Sequence, residues 1–376
     1  MDDLAAGDPS HIGPFRLLGR LGAGGMGRVY LGRSASGRVA AVKLVREEYA
    51  HRDQFRARFA REVTAARQVD SEWAARVLDA DARAEIPWVA TAYVAGPSLQ
   101  DVVGRDFGPL PEPSLSALGH RLALALADIH SAGLVHRDLK PSHVLLTLWG
   151  PCVIDFGITG ALSASAGPGV VVGSPGFMSP EQMRGEPVTP AGDVFCLGVV
   201  LAYAATGRMA FGRSEGGLAS MMLRVAHEEP DLVGVPAQLL PVVRACLHKD
   251  PARRPTPGQL AEHLAYGSVG DSWLPREVRL QVARHAEVLR NSGLPAGHRR
   301  RQYLPPVPED VYRPDPPPPP PSMGMPRGHA YPRVAVSRAR TGAWRSRRRA
   351  RRTGALLLGL VLLALVAAWL IVRYVT

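Results

Sequence analysis

Cysteine is scarce in this chain, and its three occurrences lie far apart. Cys152, Cys196 and Cys246 form no Cys-x-x-Cys pair, so neither a zinc site nor a disulfide framework is expected. This usage fits a reducing cytosol. The first residues, Met-Asp-Asp-Leu, lack the basic and apolar stretches of a secretory signal, so no signal peptide is expected.

Lysine is equally rare, since only Lys43, Lys140 and Lys249 are lysines among the 45 Lys and Arg residues. In such an arginine-rich background, a retained lysine indicates a position that needs a compact ammonium group and not a planar guanidinium.

The net charge of +12 belongs to the C-terminal part of the chain. Residues 1–270 carry 26 Lys and Arg against 27 Asp and Glu, whereas residues 271–376 carry 19 against 6. The first part has no basic surplus to neutralise phosphates, so no nucleic-acid partner is expected for it. A competing hypothesis assigns RNA binding to the Arg-rich residues 325–353.

Composition divides the chain into four segments: a domain over 12–265, a helical extension over 266–294, a linker over 295–353 and an apolar segment over 354–372. The linker is rich in Pro and Arg, with six prolines at Pro316–Pro321, and predicts a disordered juxtamembrane spacer. A ligand for a proline-binding module is the alternative.

The apolar segment Gly354–Val372 predicts a single transmembrane helix. Its 19 residues carry no charge and would span roughly 28 Å as a helix, close to the hydrocarbon thickness of a bilayer. Ten arginines between Arg327 and Arg352 precede it, which places that side in the cytoplasm and favours anionic lipid headgroups as partners. The expected location is the cell membrane, with the N-terminal domain cytoplasmic.

A glycine-rich motif lies near the start of the domain, with Gly22, Gly24 and Gly27 in GxGxxG spacing. A dinucleotide-binding fold needs a helix directly after these glycines. Here residues 28–31 are Arg-Val-Tyr-Leu, which predicts a strand, and a third strand follows with Lys43. The pattern therefore favours a hairpin that covers phosphates, with Lys43 in reach of them.

The segment Arg52–Gln68 predicts a helix with one apolar face, formed by Phe55, Phe59, Val63 and Ala66. Glu62 shares this inward face, where a carboxylate needs a cation. We expect Lys43 to be that partner.

Two further motifs complete the pattern, Leu134-Val-His-Arg-Asp-Leu-Lys-Pro141 and Val153-Ile-Asp-Phe-Gly157. With them, residues 12–265 resemble the eukaryotic-like (Hanks-type) Ser/Thr protein kinases of bacteria. The resemblance implies an α+β, bilobal protein-kinase fold, with a β-rich N-lobe to about Val94 and a helical C-lobe to about Leu264. It also implies ATP and Mg²⁺ as cofactors, with Mn²⁺ as the alternative metal, and proteins as substrates.

The resemblance also implies a role for each motif residue. Asp138 would accept the proton of the substrate hydroxyl, and Lys140 would steady the transferred phosphoryl group; this Lys is typical of kinases that act on Ser and Thr. Asp155 and His143 would hold the metal. The expected ATP-binding residues, with Thr91 as gatekeeper, are Leu21, Gly22, Gly24, Gly27, Val29, Ala41, Lys43, Glu62, Ala92, Val94 and Leu145.

Residues 173–181 resemble the substrate-binding loop of these kinases, with Glu181 expected to pair with Arg254 and Asp193 to brace the catalytic loop. Arg137 would bind a phosphate on the activation loop, which suggests autophosphorylation within a homodimer. The candidate phosphorylation sites are Thr159, Ser163, Ser165 and Ser174.

One position departs from the family pattern, because His143 stands where these kinases carry a metal-binding Asn. Imidazole is a poorer match to Mg²⁺ than oxygen, and its protonation below about pH 6.5 would prevent ligation. The competing interpretation is a pseudokinase that binds ATP and serves as a scaffold. We favour the enzyme because Lys43, Glu62, Asp138 and Asp155 are all present.

Overall fold

The computed structural model describes residues 1–24, 27–157, 174–212, 217–265 and 272–291, all within the unit Met1–Pro306. The linker predicted at 295–353 and the span predicted at 354–372 lie outside these ranges, as do Thr159, Ser163 and Ser165. Among the described residues, no helix combines the length and apolarity that crossing a membrane requires.

The N-terminal lobe is a six-stranded antiparallel sheet. Its strands run in the order β1-β2-β3-β4-β6-β5. Alternating burial along the strands, typical of a sheet with one covered face, places Tyr30, Ala40, Val42 and Trp88 in a shared apolar layer. The strands are β1 (His11–Ile12), β2 (Phe15–Gly24), β3 (Gly27–Ser34), β4 (Val39–Val45), β5 (Val77–Asp81) and β6 (Trp88–Ala92).

Two helices interrupt the sheet between β4 and β5: α1 (Glu47–Ala50) and α2 (Asp53–Ala66). The apolar face of α2 is buried as the sequence predicts, through Phe55, Phe59, Val63 and Ala66. Arg56 fixes the start of α2, since its guanidinium donates to four backbone carbonyls at 2.5–3.0 Å. Three of these carbonyls belong to residues 82–85, so α2 is tied to the turn between β5 and β6.

The C-terminal lobe is helical, and its two long helices Glu112–Ser131 and Pro190–Thr206 are largely buried. The described helices here are α3 (Leu99–Asp101), α4 (Glu112–Ser131), α5 (Pro180–Met183), α6 (Pro190–Thr206), α7 (Gly217–His227), α8 (Leu240–Cys246), α9 (Pro257–Ala265) and α10 (Arg276–Asn291). A small hairpin, β7 (Val144–Leu146) and β8 (Pro151–Val153), lies against the N-terminal lobe through the bridge between Ala74 and Val153. The bilobal kinase fold is therefore confirmed.

Lys249 is half-buried in the helical lobe. Its Nζ donates to the carbonyl of Val225 at 2.6 Å and stands 4.3 Å from the ring centroid of Phe211. Burial lowers the pKa of this amine to about 8. The residue thus fastens the end of α7 to the segment that follows α8.

The helical extension packs on the domain through α10 and the residues before it. Val278 and Val282 are fully buried, and the indole of Trp273 donates to the carbonyl of Thr147 at 3.0 Å. The guanidinium of Arg121 lies between the rings of Trp73 and Trp273, at 5.2 and 5.4 Å from their centroids. Because Val278 and Val282 are part of the main apolar core, α10 belongs to the folded domain.

Candidate active site

The glycine-rich hairpin joins β2 and β3, with Gly24 opposite Gly27. Gly27 has a φ of 144°, and a Cβ built there would lie 1.9 Å from the carbonyl oxygen of Leu44. No other residue fits without moving the backbone. At Gly22 and Gly24 a Cβ would meet no atom within 4 Å. The hairpin therefore leaves an open cradle in which backbone can approach a phosphate closely.

Lys43 faces this cradle from β4, directly opposite Val29 on β3. Its Nζ lies 3.1 Å from Oδ2 of Asp155. Burial alone would raise the pKa of Asp155, but Lys43 and the neighbouring imidazole of His143 outweigh it and lower the pKa to about 2. Asp155 also has a left-handed backbone, with a φ of 62°. It is an ionised, largely buried carboxylate held by Lys43.

Glu62 has a partner that the sequence does not predict. Its Oε1 accepts from Nη1 of Arg137 at 2.8 Å, whereas the amine of Lys43 binds Asp155. The long side chain of Arg137 extends from the catalytic loop to α2, whereas the amine of Lys43 contacts the carboxylate of Asp155. Two ion pairs, Lys43–Asp155 and Arg137–Glu62, therefore cross between the lobes.

The catalytic loop brings Asp138 and Lys140 together, with Oδ2 and Nζ 2.7 Å apart. Lys140 also donates to the hydroxyl of Ser174 at 3.1 Å. Ser174 is a predicted phosphorylation site, but here it is half-buried against the catalytic lysine. The three side chains form one polar group at the floor of the cleft, where a substrate hydroxyl can approach Asp138.

Buried ionic bonds hold this loop in place. Asp193 accepts from the backbone N–H groups of His136 and Arg137, at 2.7 and 2.9 Å, and lies 2.8 Å from Nε2 of His130. Glu181 and Arg254 form a bidentate pair at 2.6 and 2.9 Å, as expected. Burial alone would raise the pKa of Glu181, but Arg254 and other hydrogen bonds lower it overall.

His143 lies between the two acidic groups of the cleft. Its Nδ1 is 2.8 Å from the carbonyl oxygen of Asp138, and because a carbonyl only accepts, Nδ1 carries the proton. Nε2 therefore presents its lone pair, 4.0 Å from Oδ2 of Asp155. Burial lowers the pKa of His143 to about 4. The ring therefore becomes protonated at a lower pH than the value of about 6.5 that the sequence predicts.

The pair His143 and Asp155 fits a divalent metal ion through one nitrogen and one oxygen donor. Among the described residues, no group of three or more His, Cys, Asp or Glu side chains could enclose a metal by itself.

The expected adenine pocket lies where the sheet meets the β7–β8 hairpin. Ala41 pairs with Thr91 across β4 and β6, and Leu145 packs beside Val94, Ala75, Cys152 and Ile154. Leu21 packs near Leu31 and Tyr93 at the opposite edge. The N–H of Ala92 donates to the carbonyl oxygen of Arg76 at 2.8 Å, so a backbone contact from Ala92 to ATP would use its carbonyl oxygen.

Sequence reasoning missed Gln182, which links α5 to the catalytic loop. Its Nε2 donates to the carbonyl of Arg137 at 2.7 Å, and its Oε1 accepts from the N–H of Ser179 at 3.0 Å. The spacing Ser179-x-x-Gln182 is a readable capping box. The contact with Arg137, 45 residues away, has no local signal.

The sequence model of the protein kinase domain matches residues 15–265. The chain therefore belongs to the protein kinase family.

Two curated relatives and one solved structure show the similarity in detail. The chain is 47% identical over 277 residues to the probable serine/threonine-protein kinase PkwA of Thermomonospora curvata, and 50% identical over 289 residues to the serine/threonine-protein kinase AfsK of Streptomyces coelicolor. Each alignment covers 73% of this chain but only 37% and 36% of the relative. The crystal structure of the PknI kinase domain of Mycobacterium tuberculosis superimposes with a TM-score of 0.55 and 26% identity, covering 70% of this chain and 99% of that domain.

Proposed function

We propose that the protein is a membrane-anchored Ser/Thr protein kinase that transfers the γ-phosphoryl group of ATP to protein hydroxyls. The observation that carries the proposal is the convergence of Lys43, Asp155, Asp138 and Lys140 in one cleft, each within 3.1 Å of another member. The ion pairs keep each charged group oriented before substrate binds.

Each side chain has a separate role in phosphoryl transfer. Asp138 accepts a hydrogen bond from the substrate hydroxyl and takes its proton as the oxygen attacks phosphorus. Lys140, 2.7 Å from Asp138, places a positive charge beside the oxygens that gain negative charge. Lys43 and the glycine cradle hold the phosphates of the nucleotide. Because phosphoryl transfer depends on position and charge, this arrangement accounts for the reaction.

Asp155 and His143 would hold the divalent metal, which neutralises phosphate charge when bound. His143 supplies nitrogen where oxygen suits Mg²⁺ better, and nitrogen ligation favours Mn²⁺. A pseudokinase is the second candidate, favoured by His143 at the metal-binding position.

A phosphotransfer assay tests the proposal directly. The full chain in detergent is incubated with ATP, either Mg²⁺ or Mn²⁺, and a generic protein substrate. Mass spectrometry then detects phosphoserine or phosphothreonine. We expect turnover, faster with Mn²⁺. ATP binding without turnover in either metal would instead establish the scaffold.

His143→Asn is expected to raise the rate with Mg²⁺ by about tenfold and to reduce the advantage of Mn²⁺, because it restores an oxygen ligand beside Asp155. Rates are measured against metal concentration at saturating ATP. His263→Asn, on the exposed side of α9, is the matched control and should behave as wild type. Equal rates and metal preferences in His143→Asn and wild type would contradict a ligand role.

The membrane anchor is the remaining part of the proposal. It is supported by the uncharged residues of Gly354–Val372 and by the ten arginines before them. We expect the full chain to sediment with membranes and to resist extraction by salt, while a chain that lacks residues 354–372 stays in the supernatant. Full-length protein in the supernatant would show that the segment does not anchor it.

A further inference from the structure

The backbone at Arg137, the residue before the catalytic Asp138, is left-handed with a φ of 68°. A non-glycine residue keeps this conformation only where its surroundings hold it. One contact is the N–H of Arg137, which donates to Asp193 at 2.9 Å. The other is its carbonyl, which accepts from Nε2 of Gln182 at 2.7 Å. The carbonyl that accepts from Gln182 belongs to the peptide group between Arg137 and Asp138.

The orientation of the Gln182 amide is determined by its partners. The N–H of Ser179 can only donate, so the atom that it meets at 3.0 Å must be the oxygen of Gln182. The Ser179 hydroxyl meets the same oxygen at 3.1 Å. The –NH₂ group therefore faces Arg137, and the amide cannot rotate without losing bonds at both ends.

Gln182 itself is placed by a buried anchor. It follows Glu181, whose carboxylate is held by both Nη atoms of Arg254, and its helix α5 begins with the complete capping box of Ser179 and Gln182. A rigid connection thus runs from the base of the helical lobe through one amide to the catalytic loop.

We propose that Gln182 is a positioning residue for Asp138, acting through the carbonyl of Arg137; this rests on the proposed kinase function. The bond orients the peptide between Arg137 and Asp138, and so aims the carboxylate at the substrate hydroxyl. A role limited to capping α5 would need only the oxygen of Gln182, whereas positioning needs its –NH₂.

Gln182→Glu separates these two roles. The glutamate keeps an oxygen for Ser179, since Ser-x-x-Glu is a common capping box, but presents a second oxygen to the carbonyl of Arg137. Gln182→Met removes the donor without adding charge. Gln259→Glu is the matched control, because Gln259 caps α9 with Thr256 at 2.8 Å in the same manner but is exposed.

We expect kcat to fall about tenfold in Gln182→Glu and Gln182→Met, with the KM for ATP within about twofold of wild type. Gln259→Glu should match wild type. Rates are normalised to the folded fraction from circular dichroism. Wild-type kcat in Gln182→Met would overturn the proposal, because that variant has no donor.

Hydrogen exchange gives a readout that does not depend on turnover. Exchange at the amides of 136–138 should become faster in both Gln182 variants and stay unchanged in Gln259→Glu. If wild type shows no phosphotransfer but exchange changes in this way, the kinase proposal fails and the positioning of the loop stands. Unchanged exchange in both variants would overturn the positioning role.

Discussion

Asp138→Asn is expected to lower kcat by at least about 100-fold, because the substrate hydroxyl loses the group that accepts its proton. The amide has nearly the same shape as the carboxylate, so the loop keeps its packing. The substitution removes the negative charge that attracts Nζ of Lys140, 2.7 Å away. Lys140 is therefore less firmly oriented as well. The KM for ATP should change little, since Asp138 lies at the substrate side of the cleft.

Initial rates with a protein substrate, at saturating ATP and metal, measure this effect. Asp231→Asn is the matched control: Asp231 is exposed and pairs with Arg208 at 3.2 Å, away from the cleft. A kcat for Asp138→Asn within threefold of wild type would rule out Asp138 as the base, and with it the kinase mechanism given above.

Lys43→Met is expected to lower kcat/KM for ATP by about 100-fold or more, because a charge that contacts the phosphates is lost. Methionine retains the apolar stem of lysine, so the packing of β4 is preserved. The carboxylate of Asp155 would also lose the cation that lies 3.1 Å away and keeps its pKa low. Metal binding should therefore weaken together with ATP binding.

Calorimetric titration with ATP and metal, beside steady-state rates, measures both losses. Lys43→Arg provides the comparison of equal charge. A guanidinium is planar and wider than an ammonium group, so we expect it to restore only a small part of the activity. Wild-type kcat/KM in Lys43→Met would show that this lysine does not contact the nucleotide.

Contacts that the family resemblance implies were predictable, even between distant segments, whereas the hydrogen bond between Arg137 and Glu62 was not. The loop from Arg137 to Lys140 and the pair Glu181–Arg254 follow from motif order. The partner of Glu62 depends on how α2 lies relative to the catalytic loop, 75 residues further along the chain. Local sequence gives no measure of that placement, because either Lys43 or Arg137 could satisfy a carboxylate on the inner face of α2.

The same distinction applies to the extension. The sequence predicts a helical extension over 266–294, and in the structure Val278 and Val282 of α10 are buried. The position of Arg121 between Trp73 and Trp273 could not be predicted. It depends on three segments that meet only in the folded protein.

The scarcity of lysine has a consequence for chemical labelling. All three lysine amines have partners: Lys43 binds Asp155, Lys140 binds Asp138, and Lys249 binds the carbonyl of Val225. An amine-directed reagent therefore finds no abundant surface lysines and reports on these three positions, apart from the chain's α-amino group. Because the pKa of Lys249 is about 8, its amine is partly neutral near physiological pH. Protection of Lys43 by nucleotide would be read against the labelling of Lys140 and Lys249 alone.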